Sequence, residues 1–134
     1  MANYTASSRS NYFRVKDTEA FRKWADDLEL KVEPNDDGML MIWADCENGD
    51  WPDFRFNEET DDYDEIAFYG ELAEHLVPGE IAILMEVGAE KLRYLCGYAV
   101  AIDHEGNMET VSINQIYDKV KTRWPDVKLT TCEY

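Results

Sequence analysis

Between Glu33 and Glu90 the sequence has a single basic residue, Arg55, against eighteen carboxylates. Cysteine is also scarce. Cys46, Cys96 and Cys132 are an odd number with no CxxC or Cys/His spacing, so they suggest neither a disulfide framework nor a zinc site. Reduced thiols are expected, with Cys96 a small core residue in an apolar strand pattern. Long hydrophobic runs are missing too: the longest, Met39 to Ala44, falls far short of the roughly 20 residues that cross a bilayer. No basic segment followed by an apolar stretch opens the chain, and a cytoplasmic protein without membrane contact is expected.

The usual marks of catalysis are missing as well. The sequence contains no GxSxG, HExxH, P-loop or GxGxxG pattern. Its two histidines, His75 on a predicted acidic helix and His104 in a predicted turn, have no matching partner pattern and read as surface residues. Asp45, Glu47 and Asp50 lie close together in "DCENGDWPDFRF", yet this stretch lacks the sixth-position glycine and the terminal glutamate of an EF-hand loop. A non-enzymatic protein with no cofactor and no dedicated metal site is expected.

What the sequence does hold is an unevenly placed excess of charge. Its net charge of −16 resolves into +1 from Met1 to Val32, −17 from Glu33 to Glu90 and 0 from Lys91 to Tyr134. A chain of this length folds to a width of very roughly 35–40 Å. Duplex DNA carries about twenty phosphate charges over that distance. The middle segment thus approaches the charge of a matching piece of DNA. Such a concentration costs folding stability through self-repulsion, and a merely solvated face could have been interspersed with lysines.

A hydrophobic content of 45% and an aromatic content of 13% nonetheless argue for a folded domain. Residues 1–11, with the small polar run "ANYTASSRSN", read as a flexible arm, and residues 12–134 as one α+β domain. "YFRVKD" reads as a strand, followed by a helix capped by Asp17 or Thr18 that buries Phe21, Trp24 and Leu28. "LKVEP" and "GMLMIWADC" flank an Asn35–Gly38 turn as a hairpin, and "DWPDFRFN" forms a further strand with Phe54 and Phe56 on one face. A second helix is expected to start near Asp62 or Asp64 and to end before Pro78, with Ile66, Tyr69, Leu72, Ala73 and Leu76 inward. "EIAILMEVG", "LRYLCGYAVAI" and "METVSI" are strands. A third helix opens at the capping-box pair Ser112 and Gln115, with Ile113, Ile116, Tyr117, Val120 and Trp124 inward. The tail from Pro125 is a last edge strand or loose. Hairpin turns and short connections favour an antiparallel sheet of about five to six strands packed by about three helices.

The stretches "SNYFRVKDTEAF" and "EKLRYLCGYAVAI" resemble small acidic proteins carried by phages, plasmids and other mobile elements of bacteria. That neighbourhood includes anti-CRISPR and anti-restriction inhibitors, several of which resemble nucleic acid in charge. The resemblance implies an inhibitor of host defence and assigns no particular residues.

Charge and resemblance together predict an inhibitor that binds a basic nucleic-acid-binding surface of a CRISPR-Cas or restriction effector, and that does not itself bind nucleic acid. The predicted contacts are Asp36, Asp37, Asp45, Glu47, Asp50, Asp53, Glu58, Glu59, Asp61, Asp62, Asp64, Glu65, Glu71 and Glu74. Trp51 or Tyr63, if exposed beside Asp50, Asp61 and Asp62, would add an aromatic anchor to that charge. Competing readings are an immunity protein against a basic nuclease toxin, a cation-dependent or hydrolytic enzyme using the carboxylates, and an acidic domain whose charge only keeps it in solution.

Overall fold

The computed structural model describes residues 4–90 and 94–132. Eleven elements follow one another: β1 (Tyr4–Ser10), α1 (Thr18–Asp27), β2 (Leu30–Pro34), β3 (Leu40–Ala44), β4 (Phe54–Asn57), β5 (Asp62–Glu65), α2 (Phe68–His75), β6 (Ile81–Glu90), β7 (Tyr94–Asp103), β8 (Met108–Ser112) and α3 (Gln115–Arg123). Six strands form one sheet in the order β2-β3-β1-β6-β7-β8, every neighbouring pair antiparallel. β4 and β5 form a separate two-stranded hairpin. The chain is therefore an α+β protein. Among the described residues no helix is long and apolar enough to cross a membrane.

The core lies between one face of the large sheet and the helices α1 and α2. Alternation along the strands sends Ile42, Leu84 and Ile102 to this face, where Phe13 and Phe21 meet Leu72 of α2 and Leu76 just beyond its end, all fully buried. Asp17 caps α1 by accepting from Ala20 N–H at 3.1 Å, and Phe21, Trp24, Ala25 and Leu28 form its inward stripe. Aromatic rings run from α1 to the β3–β4 loop: Trp24 stacks on Phe68 with centroids 5.6 Å apart, and Phe68 stacks on Trp51 at 5.7 Å.

Four expectations need correction. The predicted flexible arm, residues 1–11, is a sheet strand over Tyr4–Ser10, seated between β3 and β6; residues 1–3 lie outside the described residues. Two glycines let neighbouring backbone come close to it: a Cβ on Gly88 would stand 2.6 Å from Thr5 O, and one on Gly49 would overlap Ala6 O. Beyond β1, the Asn11 amide extends the ladder, accepting from Ile83 N–H at 2.8 Å and donating to Ile81 O at 3.1 Å. "YFRVKD" is extended but carries only two isolated bridges, Phe13↔Leu40 and Val15↔Leu76, because it crosses from the sheet to the helical layer.

The second helix starts at Phe68, not at Asp62 or Asp64, because Asp62–Glu65 pairs residue by residue with Phe54–Asn57. Asn57 Oδ1 accepts from Glu59 N–H at 2.9 Å to form the connecting turn, and Asp61 closes it with a left-handed φ of 54°. In α3 the expected inward stripe is open. Ile113, Ile116 and Trp124 are exposed, and no residue of the helix is buried. Half of the predicted capping box does form, with Gln115 Oε1 accepting from Ser112 N–H at 3.2 Å. The tail forms no strand over its described residues, though Cys132 N–H donates to the Tyr117 hydroxyl at 2.7 Å.

Candidate acidic interface

The β4–β5 hairpin stands against the end of the molecule where α1 stops and β3 runs into the loop Asp45–Asp53. Between them opens a cleft of about 750 Å³ lined by Asp27, Glu29, Glu47, Asp50, Asp53 and Asp62. Its apolar wall comes from Trp51, Pro52, Phe54, Phe56 and Tyr63. Among the described residues no basic side chain lines it.

Local rules explain how the carboxylates come to face outward. Phe54 and Phe56 share one hairpin face with Tyr63, whose ring meets Phe56 edge-on at 5.3 Å, while Arg55 and Asp64 point to the other. Arg55 turns away from the surface acids to pair with Glu71 on α2. Trp24 Nε1 also donates to Glu71 Oε1, at 2.8 Å. Burial would raise this carboxyl, but the hydrogen bonds from Trp24 and Arg55 and the adjacent guanidinium outweigh it and hold Glu71 below its ordinary range. The one cation of the acidic segment, itself partly exposed, is thus taken up by a carboxylate of α2 and not by the acids of the loop and hairpin.

The end of α1 strengthens the negative field. Asp27 sits in its last turn, where no basic residue answers the negative end of the helix dipole. Glu29 follows in a left-handed conformation with φ 60°, a position where helices usually place glycine. A strained glutamate there stays turned toward the cleft that Glu47 and Asp50 also line.

The fourteen predicted contacts divide by place. Asp45, Glu47, Asp50, Asp53, Glu58, Glu59, Asp61, Asp62, Asp64 and Glu65 belong to the cleft loop and the hairpin, and all but the half-buried Asp50 are exposed. Asp36 and Asp37 are exposed on the β2–β3 turn at the far end of β3, away from the cleft loop. Glu74 is exposed in the last turn of α2, and Glu71 is committed to its internal pair. Among the described residues, ion pairs hold only two of the fourteen, Asp45 with Lys31 at 3.7 Å and Glu71 with Arg55. Of the two aromatic anchors considered, Trp51 is buried at 4% exposure and Tyr63 stands out at 62%.

No protein-family model, curated protein or solved structure matches this chain.

Asp27 and Glu29 were hidden from segment-by-segment charge counting, which averaged them with Arg22 and Lys23; the run "DDLE" was the signal that could have found them. His75, expected at the surface, is half-buried between the rings of Trp24 and Phe21, at 5.1 and 5.5 Å, and burial lowers its pKa. Behind the cleft loop, Glu86 accepts from Trp51 N–H at 2.9 Å and from Tyr98 O–H at 3.0 Å. Burial and the neighbouring Tyr69 and Glu86 raise the Tyr98 phenol, so that it stays a donor. This network holds the loop to the sheet. No group of metal-ligating side chains occurs among the described residues.

Proposed function

We propose that this protein is a cytoplasmic, non-enzymatic inhibitor that occupies a basic nucleic-acid-binding surface on a bacterial defence effector. The observation that carries the reading is the gathering of six carboxylates, Asp27, Glu29, Glu47, Asp50, Asp53 and Asp62, around one cleft without a basic lining residue among the described residues, with Asp45, Glu58, Glu59, Asp61, Asp64 and Glu65 exposed on the same loop and hairpin. A surface evolved to hold phosphates attracts such a patch at long range, and loses it as salt screens the field. Tyr63 and Phe56, exposed among the acids, supply an apolar contact of the kind that holds a complex once charge has brought it together. The contact set is narrower than charge alone predicts: Asp36, Asp37 and Glu74 lie outside it, and Glu71 supports the hairpin from within.

A plasmid-interference assay tests the reading. The protein is co-expressed with each of a panel of CRISPR-Cas and restriction nucleases, alongside the variant carrying Asp61→Lys, Asp62→Lys, Asp64→Lys and Glu65→Lys. The wild type restores plasmid survival against at least one effector and the variant does not. Equal protection by both rejects the acidic patch as the contact, and protection only against a nuclease toxin favours an immunity protein instead.

A further inference from the structure

The face of the large sheet opposite α1 and α2 is uncovered. Strand register places Met85 and Val87 of β6, Leu95 of β7 and Val111 of β8 on this side, all exposed, with Val87 at 60%. Arg9 of β1, Met41 and Trp43 of β3, and Met85 and Val87 of β6 line a groove of about 480 Å³ on it. The charges on this face nearly balance: Arg9 and Lys31 stand against Glu33, Asp103 and Glu109, a net of −1. It is a weakly charged surface on a strongly anionic molecule.

The same chain carries a second unpartnered apolar surface. Ile113 lies over Gly97 at the rim of this face, and α3 then leads away with Ile116 and Trp124 exposed, followed by Val127 at 50%. Residues 113–132 hold Lys119, Lys121, Arg123 and Lys128 against Asp118 and Asp126, a balance of +2 within a chain of −16. A helix that is apolar on one side, with none of its residues buried, is incomplete as an isolated element.

We infer that two copies of this chain associate through these surfaces, the apolar side of α3 from each copy crossing the groove beside Met85 and Val87 of the other. Three observations select a second copy as the occupant. The two apolar surfaces occur on one chain, so a two-fold axis satisfies both at once. The positive α3 segment is the part of the molecule that an anionic copy attracts rather than repels. Six strands about 4.8 Å apart, of five to ten residues each or about 17–34 Å, give a face of roughly 700 Å², close to the area each partner contributes to a stable interface.

Sedimentation equilibrium of the full chain over a range of concentrations tests this, with Val87→Asp on the face and Trp124→Ser on the helix as separate variants. Both positions are exposed, and circular dichroism with thermal unfolding verifies that each variant folds. The wild type is a dimer at micromolar concentration, and each substitution raises the dimer dissociation constant at least tenfold. A wild type that stays monomeric at 100-fold higher concentration overturns the proposal, as does a dimer that survives either substitution in a folded variant.

Discussion

At the scale of single residues, the acidic end of the molecule is bought at a local cost that can be measured. Glu29 holds a left-handed φ of 60° that glycine adopts freely. Glu29→Gly should therefore stabilise the protein by about 1 kcal/mol, read from chemical denaturation, while removing a charge from the cleft. Glu71 behaves in the opposite way. Its carboxyl is held below the ordinary range in the folded chain, so its contribution is present above about pH 4.5 and disappears as pH falls through the folded value. Glu71→Gln should lower stability by about 2 kcal/mol at neutral pH, and the deficit should vanish in acid. His75 is also depressed, by burial, and favours the folded state above its unfolded pKa of about 6.5. The stability advantage of the wild type over His75→Phe should shrink as pH drops below that value, measured as the difference between their melting temperatures.

At the scale of elements, what could be read in the sequence depended on whether local pattern and tertiary setting agree. β6 and β7 carry long apolar, β-branched runs, and α1 has both a cap and a stripe, so each is legible from its own residues. β1 is not, because "YTASSRS" has no apolar alternation; its place is fixed by the close approach of Gly88 and Gly49, residues distant in sequence. β5 was obscured for another reason. Carboxylates at Asp62, Asp64 and Glu65 suit a helix N-terminus as well as a hairpin, and only pairing with Phe54–Asn57 decides between them. The site was legible as charge from Asp45 to Glu65, but the commitment of Glu71 to Arg55 appears only once α2 packs behind the hairpin. Because the hairpin's acids face solvent, reversing Asp61, Asp62, Asp64 and Glu65 to lysine should change unfolding free energy by no more than about 1 kcal/mol. A larger loss in denaturant unfolding would mean that these side chains hold the fold.

At the scale of the whole molecule, charge of one sign is gathered in the cleft loop and hairpin while the open sheet face stays close to neutral. Like charges brought together oppose folding, and added salt screens them within about 8 Å at 0.15 M. The melting temperature should therefore rise between low and moderate salt, and rise less in the hairpin-reversal variant. Partner binding should respond with the opposite sign, weakening as salt increases. The most direct measurement of the central claim is capture from host extract on immobilised wild-type protein, with identification of what elutes at stepped salt and on addition of competing DNA or RNA. The account predicts a nucleic-acid-binding defence protein that is retained at low salt, released by salt or by nucleic acid, and not captured by the four-lysine hairpin variant. A captured protein that resists both eluents and binds the variant equally well would contradict it.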